Sequence, residues 1–227
     1  MKKQEVNNDP IILKARTIVV PPPNLQDYVI RITGTAPYCQ LRFGEKAKWE
    51  MMKKMEEEQS NIKKKKVREP RNYQEEYDQS MYKTDTGQFG INSSSFRNSM
   101  IASTKILNYQ TTKAKLSIFV LADGYDFRDL TPLTFIYGEP KRYESPVRVV
   151  SSFGKVSTDI RIRAIWHKWY ADVHVQFDDD QFHIEDVVNL LNRAGQQVGI
   201  GEGRPNSRDS YGTGFGTFVV ANGDIAK

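Results

Sequence analysis

Three groups of residues in this 227-residue chain have types and spacing that invite a chemical reading. The first is Ser93, Ser94 and Ser95, which follow Gly87 and Gly90 and precede Phe96 and Arg97. A serine nucleophile needs an activating base and a strained Gly-x-Ser-x-Gly turn. The turn is missing and no His with a nearby acid is marked out as partner, so serine catalysis has no support. Cys39 likewise has no His or Asn setting. Serines at the start of a helix can instead cap its free N–H groups, so Ser93 or Ser94 is expected to cap, with Phe96 and Met100 as an anchoring i, i+4 apolar pair. Such a helix start beside Gly87, Gly90 and Arg97 is also an anion site.

The second group is the loop carrying Gly199, Gly201, Gly203, Gly212, Gly214 and Gly216. It superficially resembles a dinucleotide fingerprint, but it follows a predicted helix and precedes a predicted strand, the reverse of the order that points a helix N-terminus at a pyrophosphate. What it can do is bring backbone amides close to a partner. Arg204, Arg208, Tyr211 and Phe215 then project as phosphate and base contacts. A long loop with only a turn function is the alternative. The third group is acidic: Asp123, Asp126 and Asp129 in a turn-rich stretch, and Asp178, Asp179 and Asp180 before a helix. Turn and cap roles explain both, and a metal-dependent nuclease is the competing reading. His167, His174 and His183 are scattered and read as surface or packing residues, and nothing in the pattern calls for a metal or a cofactor.

These groups hang on elements that the hydrophobic period makes visible. Tyr28 to Thr33 alternates with period two, as expected of a half-buried first core strand. Lys115 to Leu121 and Leu133 to Gly138 are strand-like. Thr158 to Trp166 alternates and sets Arg161 and Arg163 on one face, and Ala171 to Phe177 is expected to pair with it as a hairpin. Ile184, Val187, Val188 and Leu191 repeat at helix spacing up to Gly195, and Thr217 to Ala221 closes as a last strand. Residues 1–27, with Pro10 and Pro21 to Pro23, read as an irregular arm with a short outer strand at residues 11–20. The order predicts an α+β domain over residues 28–227, a ferredoxin-like or RRM-like antiparallel sheet with helices on one face and an inserted basic helical finger at about residues 45–85.

Composition supports a globular body: 38% of residues are hydrophobic and 27% charged. No apolar run approaches a membrane span or the core of a signal peptide, which predicts a soluble cytoplasmic protein. One cysteine excludes an intramolecular disulfide and a multi-cysteine zinc site. The net charge of +5 is matched by Lys46 to Arg71 alone, with ten Lys or Arg against five Glu. That asymmetry suggests an anionic partner, although a helix with a solvated charge face is the plainer alternative.

The stretch "GINSSSFRNSMI" and the C-terminal "GIGEGRPNSRDSYGTGFGTFVV" together resemble two motifs of the RAMP superfamily. These are RRM-like proteins that include the RNA-binding backbone subunits of CRISPR effector complexes. The chain is also similar to phage-encoded proteins with a related helix start and a related "NRAG-x-x-VG" ending, which would place it in the host cell cytoplasm. Asn92 and Asn98 depart from the motif, and no N-terminal catalytic His is present, so no nuclease activity carries over. The resemblance implies that Ser94, Ser95 and Arg97, with Arg204, Gly212, Gly214 and Phe215, lie where the superfamily holds nucleic-acid backbone. It also implies that the inserted segment reaches a neighbouring copy.

The leading expectation is a non-catalytic nucleic-acid-binding protein, selective for single-stranded RNA or DNA, that assembles into oligomers or filaments. Phosphates would meet Lys63, Lys64, Lys65, Lys66, Arg161, Arg163 and the helix-start amides, while Tyr211 or Phe215 stacks on bases. A phage structural or host-defence-interfering protein-interaction factor on the same fold is the alternative, and the nuclease the third.

Overall fold

The computed structural model describes residues 21–40, 42–58, 70–150, 154, 156–207 and 212–226. The outer strand expected at residues 11–20 lies outside these, as do Lys63 to Lys66, Arg208 and Tyr211. In chain order the elements are β1 (Leu25–Gly34), β2 (Tyr38–Gln40), α1 (Glu45–Glu58), α2 (Tyr73–Gln79), β3 (Tyr82–Lys83), β4 (Phe89–Asn92), α3 (Ser93–Ser103) and α4 (Thr111–Ser117). There follow β5 (Ile118–Leu121), β6 (Gly124–Tyr125), β7 (Pro132–Tyr137), β8 (Pro140–Val150), β9 (Val156–Trp166), β10 (Tyr170–Asp178), α5 (Ile184–Arg193), a π-helical turn (Ala194–Val198) and β11 (Phe218–Ala226).

The fold is α+β. The larger sheet has the order β11–β1–β10–β7–β4–β3, with β5 also beside β10 and β6 beside β7. A second sheet has the order β2–β9–β8. Every pairing among the described residues is antiparallel.

The core sits where the period-two faces of β1 and β10 meet two helices. Ile30 and Ile32 of β1 and Ala171, Val173, Val175 and Phe177 of β10 are fully buried. Phe96 and Met100 of α3 and Val187 and Leu191 of α5 close over them, so the expected i, i+4 anchor of α3 is in place. Beyond α5, Gly195 lets the helix end settle on β11: a Cβ there would lie 2.3 Å from the Phe218 carbonyl oxygen.

The hairpin expected between Thr158–Trp166 and Ala171–Phe177 does not form. β9 is the middle strand of the small sheet, with β2 and β8 on its two edges. β10 has β1 on one edge and shares the other between β5, opposite His174 to Phe177, and β7, opposite Tyr170 and Ala171. The two strands therefore lie in different sheets and do not pair with each other. The chain instead leaves the large sheet at Gly138, runs out as β8 and back as β9 over 11 residues each, and re-enters at Trp169. Gly138 has φ +136, and a Cβ on it would meet the Lys168 carbonyl oxygen at 2.4 Å, so the crossing of these two connections requires glycine. Among the described residues no helix is long and apolar enough to cross a membrane.

Candidate nucleic-acid interface

The helix start belongs to Asn92, which ends β4. Its Oδ1 accepts from the Ser94 amide at 3.0 Å and from the Ser94 hydroxyl at 2.7 Å, whereas Ser93 is buried with its Oγ 3.0 Å from Thr134 Oγ1. The cap is therefore the asparagine before the serines. Ser94 is exposed and Ser95 half-buried. Arg97 faces inward along the helix: its Nε donates to the Ile118 carbonyl at 2.9 Å, its Nη2 to the Lys115 carbonyl, and the guanidinium lies 5.6 Å from the Phe119 ring centroid. It satisfies carbonyls left open where α4 gives way to β5.

The glycine loop folds onto β2 and the base of the β8–β9 hairpin. Ile200 and Phe215 amides donate to Gly216 and Gly203 carbonyls, and Glu202 and Gly216 amides to Cys39 and Pro37 carbonyls, so these four amides are committed internally. Gly216, at φ +66, passes so close to Ile200 that a Cβ would fall 1.8 Å from its carbonyl oxygen. Arg163 donates through Nε to Glu202, Phe215 meets Tyr143 edge-on at 6.1 Å, and Arg204 donates to the Gly201 carbonyl at 3.0 Å. Arg161 is half-buried across from Ser145. Gly212 and Gly214 have φ +60 and +80, and Gly214 has open space around it. The structure thus gathers Arg163, Arg204 and Phe215 at the hairpin base, while Ser94, Ser95 and Arg97 ride on α3.

A further surface was missed by motif reading. On β1 and β10 the residues alternating with the buried set point to the other face: Arg31 and Thr33 from one strand, Tyr170, Asp172 and His174 from the other. Arg31 and Asp172 stand directly opposite in the register and form a two-pronged ion pair at 2.7 and 2.9 Å. The same guanidinium lies 5.2 Å from the Tyr170 ring centroid. Tyr170, 40% exposed, stacks on Tyr137, 36% exposed, at 4.7 Å and 12° between planes. Arg31, Tyr137 and Tyr170 line a cleft of about 670 Å³ together with Thr33, Gly34, Lys168 and Trp169. The alternation around Arg31 was visible in the sequence, but Tyr170 lies just outside the strand expected at Ala171 to Phe177, and the pairing across strands was not visible.

Two carboxylates that act on the lining residues have contrasting character. Hydrogen bonding from Arg31 holds Asp172 below the usual carboxylate range. Asp123 is pushed up, chiefly by burial, although it accepts from the Phe135 amide at 2.7 Å and lies 3.5 Å from His174 Nε2. Burial, aided by the charges of Asp172 and Asp123, raises Tyr137, keeping its hydroxyl protonated.

The other acidic residues serve structure. Asp126, fully buried, accepts from the Lys83 and Arg128 amides and lies 3.3 Å from Arg42, whose side chain is 1% exposed. Asp129 pairs with Arg42 at 3.2 Å and Lys48 at 3.0 Å, which ties α1 to the β6–β7 connection. Burial would raise the Asp129 carboxyl, but hydrogen bonds from Thr131 and Lys48 and the charge of Arg42 outweigh it and hold the group well below the usual range. Asp178 closes the turn into α5 by accepting from Asn24 and Asp180 amides. Among the described residues no three His, Cys, Asp or Glu side chains converge as a metal ion would require. The chain matches no protein-family model and no curated protein.

Proposed function

We propose that the protein binds single-stranded nucleic acid without catalysis, on a ferredoxin-like frame of the RAMP kind, and that it assembles into oligomers. The alternation β1–α3–β5–β10–α5–β11, laid out in the sheet as β11–β1–β10–β5, supports the ferredoxin-like reading, with everything else inserted between these elements. On this reading the motif at Ser94 starts the first frame helix, and the glycine loop leads into the last frame strand.

The observation that carries the proposal is the stacked Tyr137–Tyr170 pair with Arg31 and Lys168 in one cleft of the open sheet face. Exposed aromatic faces stack on any unpaired base, and Lys168 beside them can hold the backbone while Arg31, tied to Asp172, fixes the Tyr170 ring, which favours single strands over duplexes. The test is binding of a fluorescent single-stranded oligonucleotide at increasing salt. A steep loss of affinity from about 50 to 200 mM salt is expected if several phosphates are neutralised. No binding at low salt refutes the proposal.

A second reading, a protein-interaction factor, draws on α1, where Trp49, Met51, Met52 and Met55 are all more than half exposed at 59%, 52%, 61% and 65%. Such a surface fits a protein partner or another copy of the chain. Size measurement with and without oligonucleotide separates the two, since an assembling nucleic-acid binder grows with oligonucleotide length.

A further inference from the structure

We propose that the cavity on the helical side, between α5 and the connection from α3 to α4, binds a nucleoside or a nucleoside monophosphate. It lies among α5, the π-helical turn and the α3–α4 connection, distinct from the open-face cleft in its lining residues. The inference does not rest on the oligonucleotide-binding proposal. Its volume of about 490 Å³ falls within the range of small-molecule sites, roughly 300–1,000 Å³.

One wall is aromatic, Tyr109 against Phe182 with ring centroids 5.1 Å apart. Around it stand the carboxamides of Gln181, Asn189, Gln196 and Gln197. Each offers a donor and an acceptor, and none of the four side chains makes a hydrogen bond to protein among the described residues. A nucleobase presents the matching features: π faces for the aromatic wall and a mixed donor–acceptor edge for carboxamides. The charges suit the remainder of such a ligand. Asp186 and Arg193 both line the cavity and stand seven residues apart on α5, about 10 Å along its axis. The Asp186 carboxylate, one oxygen of which accepts from the His183 amide at 3.2 Å, accepts from sugar hydroxyls through the other, and the guanidinium meets a phosphate or solvent. A hydrocarbon ligand is disfavoured by the carboxamides, and a polyanion by Asp186.

Saturation-transfer NMR on the full chain, with adenosine, guanosine, cytidine, uridine and adenosine monophosphate as probes, tests this. At least one should receive saturation most strongly at its base protons. Its affinity should fall about tenfold in the double variant Asn189→Ala, Gln196→Ala, with an unchanged melting temperature showing that the fold is kept. Tyr170→Ala should leave nucleoside binding unchanged. Absence of transfer to all five probes, or binding undiminished in the double variant, overturns the proposal. Nucleoside binding that is lost in Tyr170→Ala also overturns it, because the ligand would then occupy the open sheet face, an outcome that leaves the oligonucleotide reading standing.

Discussion

Tyr170 meets Tyr137 in a stack and Arg31 in a cation–π contact, so one exposed ring joins the aromatic and the cationic parts of the cleft. Tyr170→Ala should weaken single-strand binding by about 1–3 kcal/mol, the usual value of a base–aromatic stack. Because Tyr170 is exposed, circular dichroism should be unchanged. Lys168, on the same rim, contributes charge without a shape requirement. Lys168→Ala should lower the slope of log affinity against log salt by about 1 while weakening all sequences alike. Asp129 governs a pH effect on stability. Its carboxyl sits lower folded than unfolded, so its contribution is present above the ordinary carboxylate pKa of about 3.9 and is lost as pH falls through the depressed folded value. Thermal melts should show Asp129→Asn less stable than wild type at pH 7, with the gap narrowing below about pH 4. A gap that stays constant would mean that Asp129 acts through geometry alone.

At the scale of elements, the α3 anchor and the glycine loop position everything on the frame. Phe96 is fully buried against the sheet, and Phe96→Ala should cost about 3–5 kcal/mol in denaturant unfolding. Asn92→Ala removes the side-chain cap and should cost about 1 kcal/mol, whereas Ser93→Ala should not reproduce a cap loss, because Ser93 Oγ bonds to Thr134 instead. β1 and α5 were legible because each carries a clear hydrophobic period, and the start of β11 because of its apolar run Phe218 to Ala221, whereas Asn222, Gly223 and Asp224 hid its continuation to Ala226. The cap was misplaced because Asn and Ser cap equally well, and only the end of β4 at Asn92 decides between them. β8 was invisible: Pro140 and Pro146 argue against a strand, yet β8 is an edge strand, where proline is tolerated. The β9–β10 pairing was misjudged because strand partners are chosen by distant segments, here β2, β8, β1, β5 and β7, and alternation within a strand says nothing about them. The same limit hid the cleft. Arg31 and Asp172 are 141 positions apart, and only the register of β1 with β10 sets them face to face.

Among the described residues of the whole molecule, the helices pack one face of β1 and β10 and none covers the other, while β8 and β9 rise from the end of the sheet that holds Tyr137 and Tyr170. An open surface of this form can follow an extended strand, as the proposed binding role requires. The most direct test compares wild type with Tyr170→Ala for binding of a labelled single strand and of its duplex, by fluorescence anisotropy at about 50 mM salt, where phosphate contacts are strongest. Wild type should prefer the single strand, and the substitution should remove most of that preference. Equal affinity of both proteins for the single strand, or no binding by wild type, would contradict a nucleic-acid-binding role for the open sheet face.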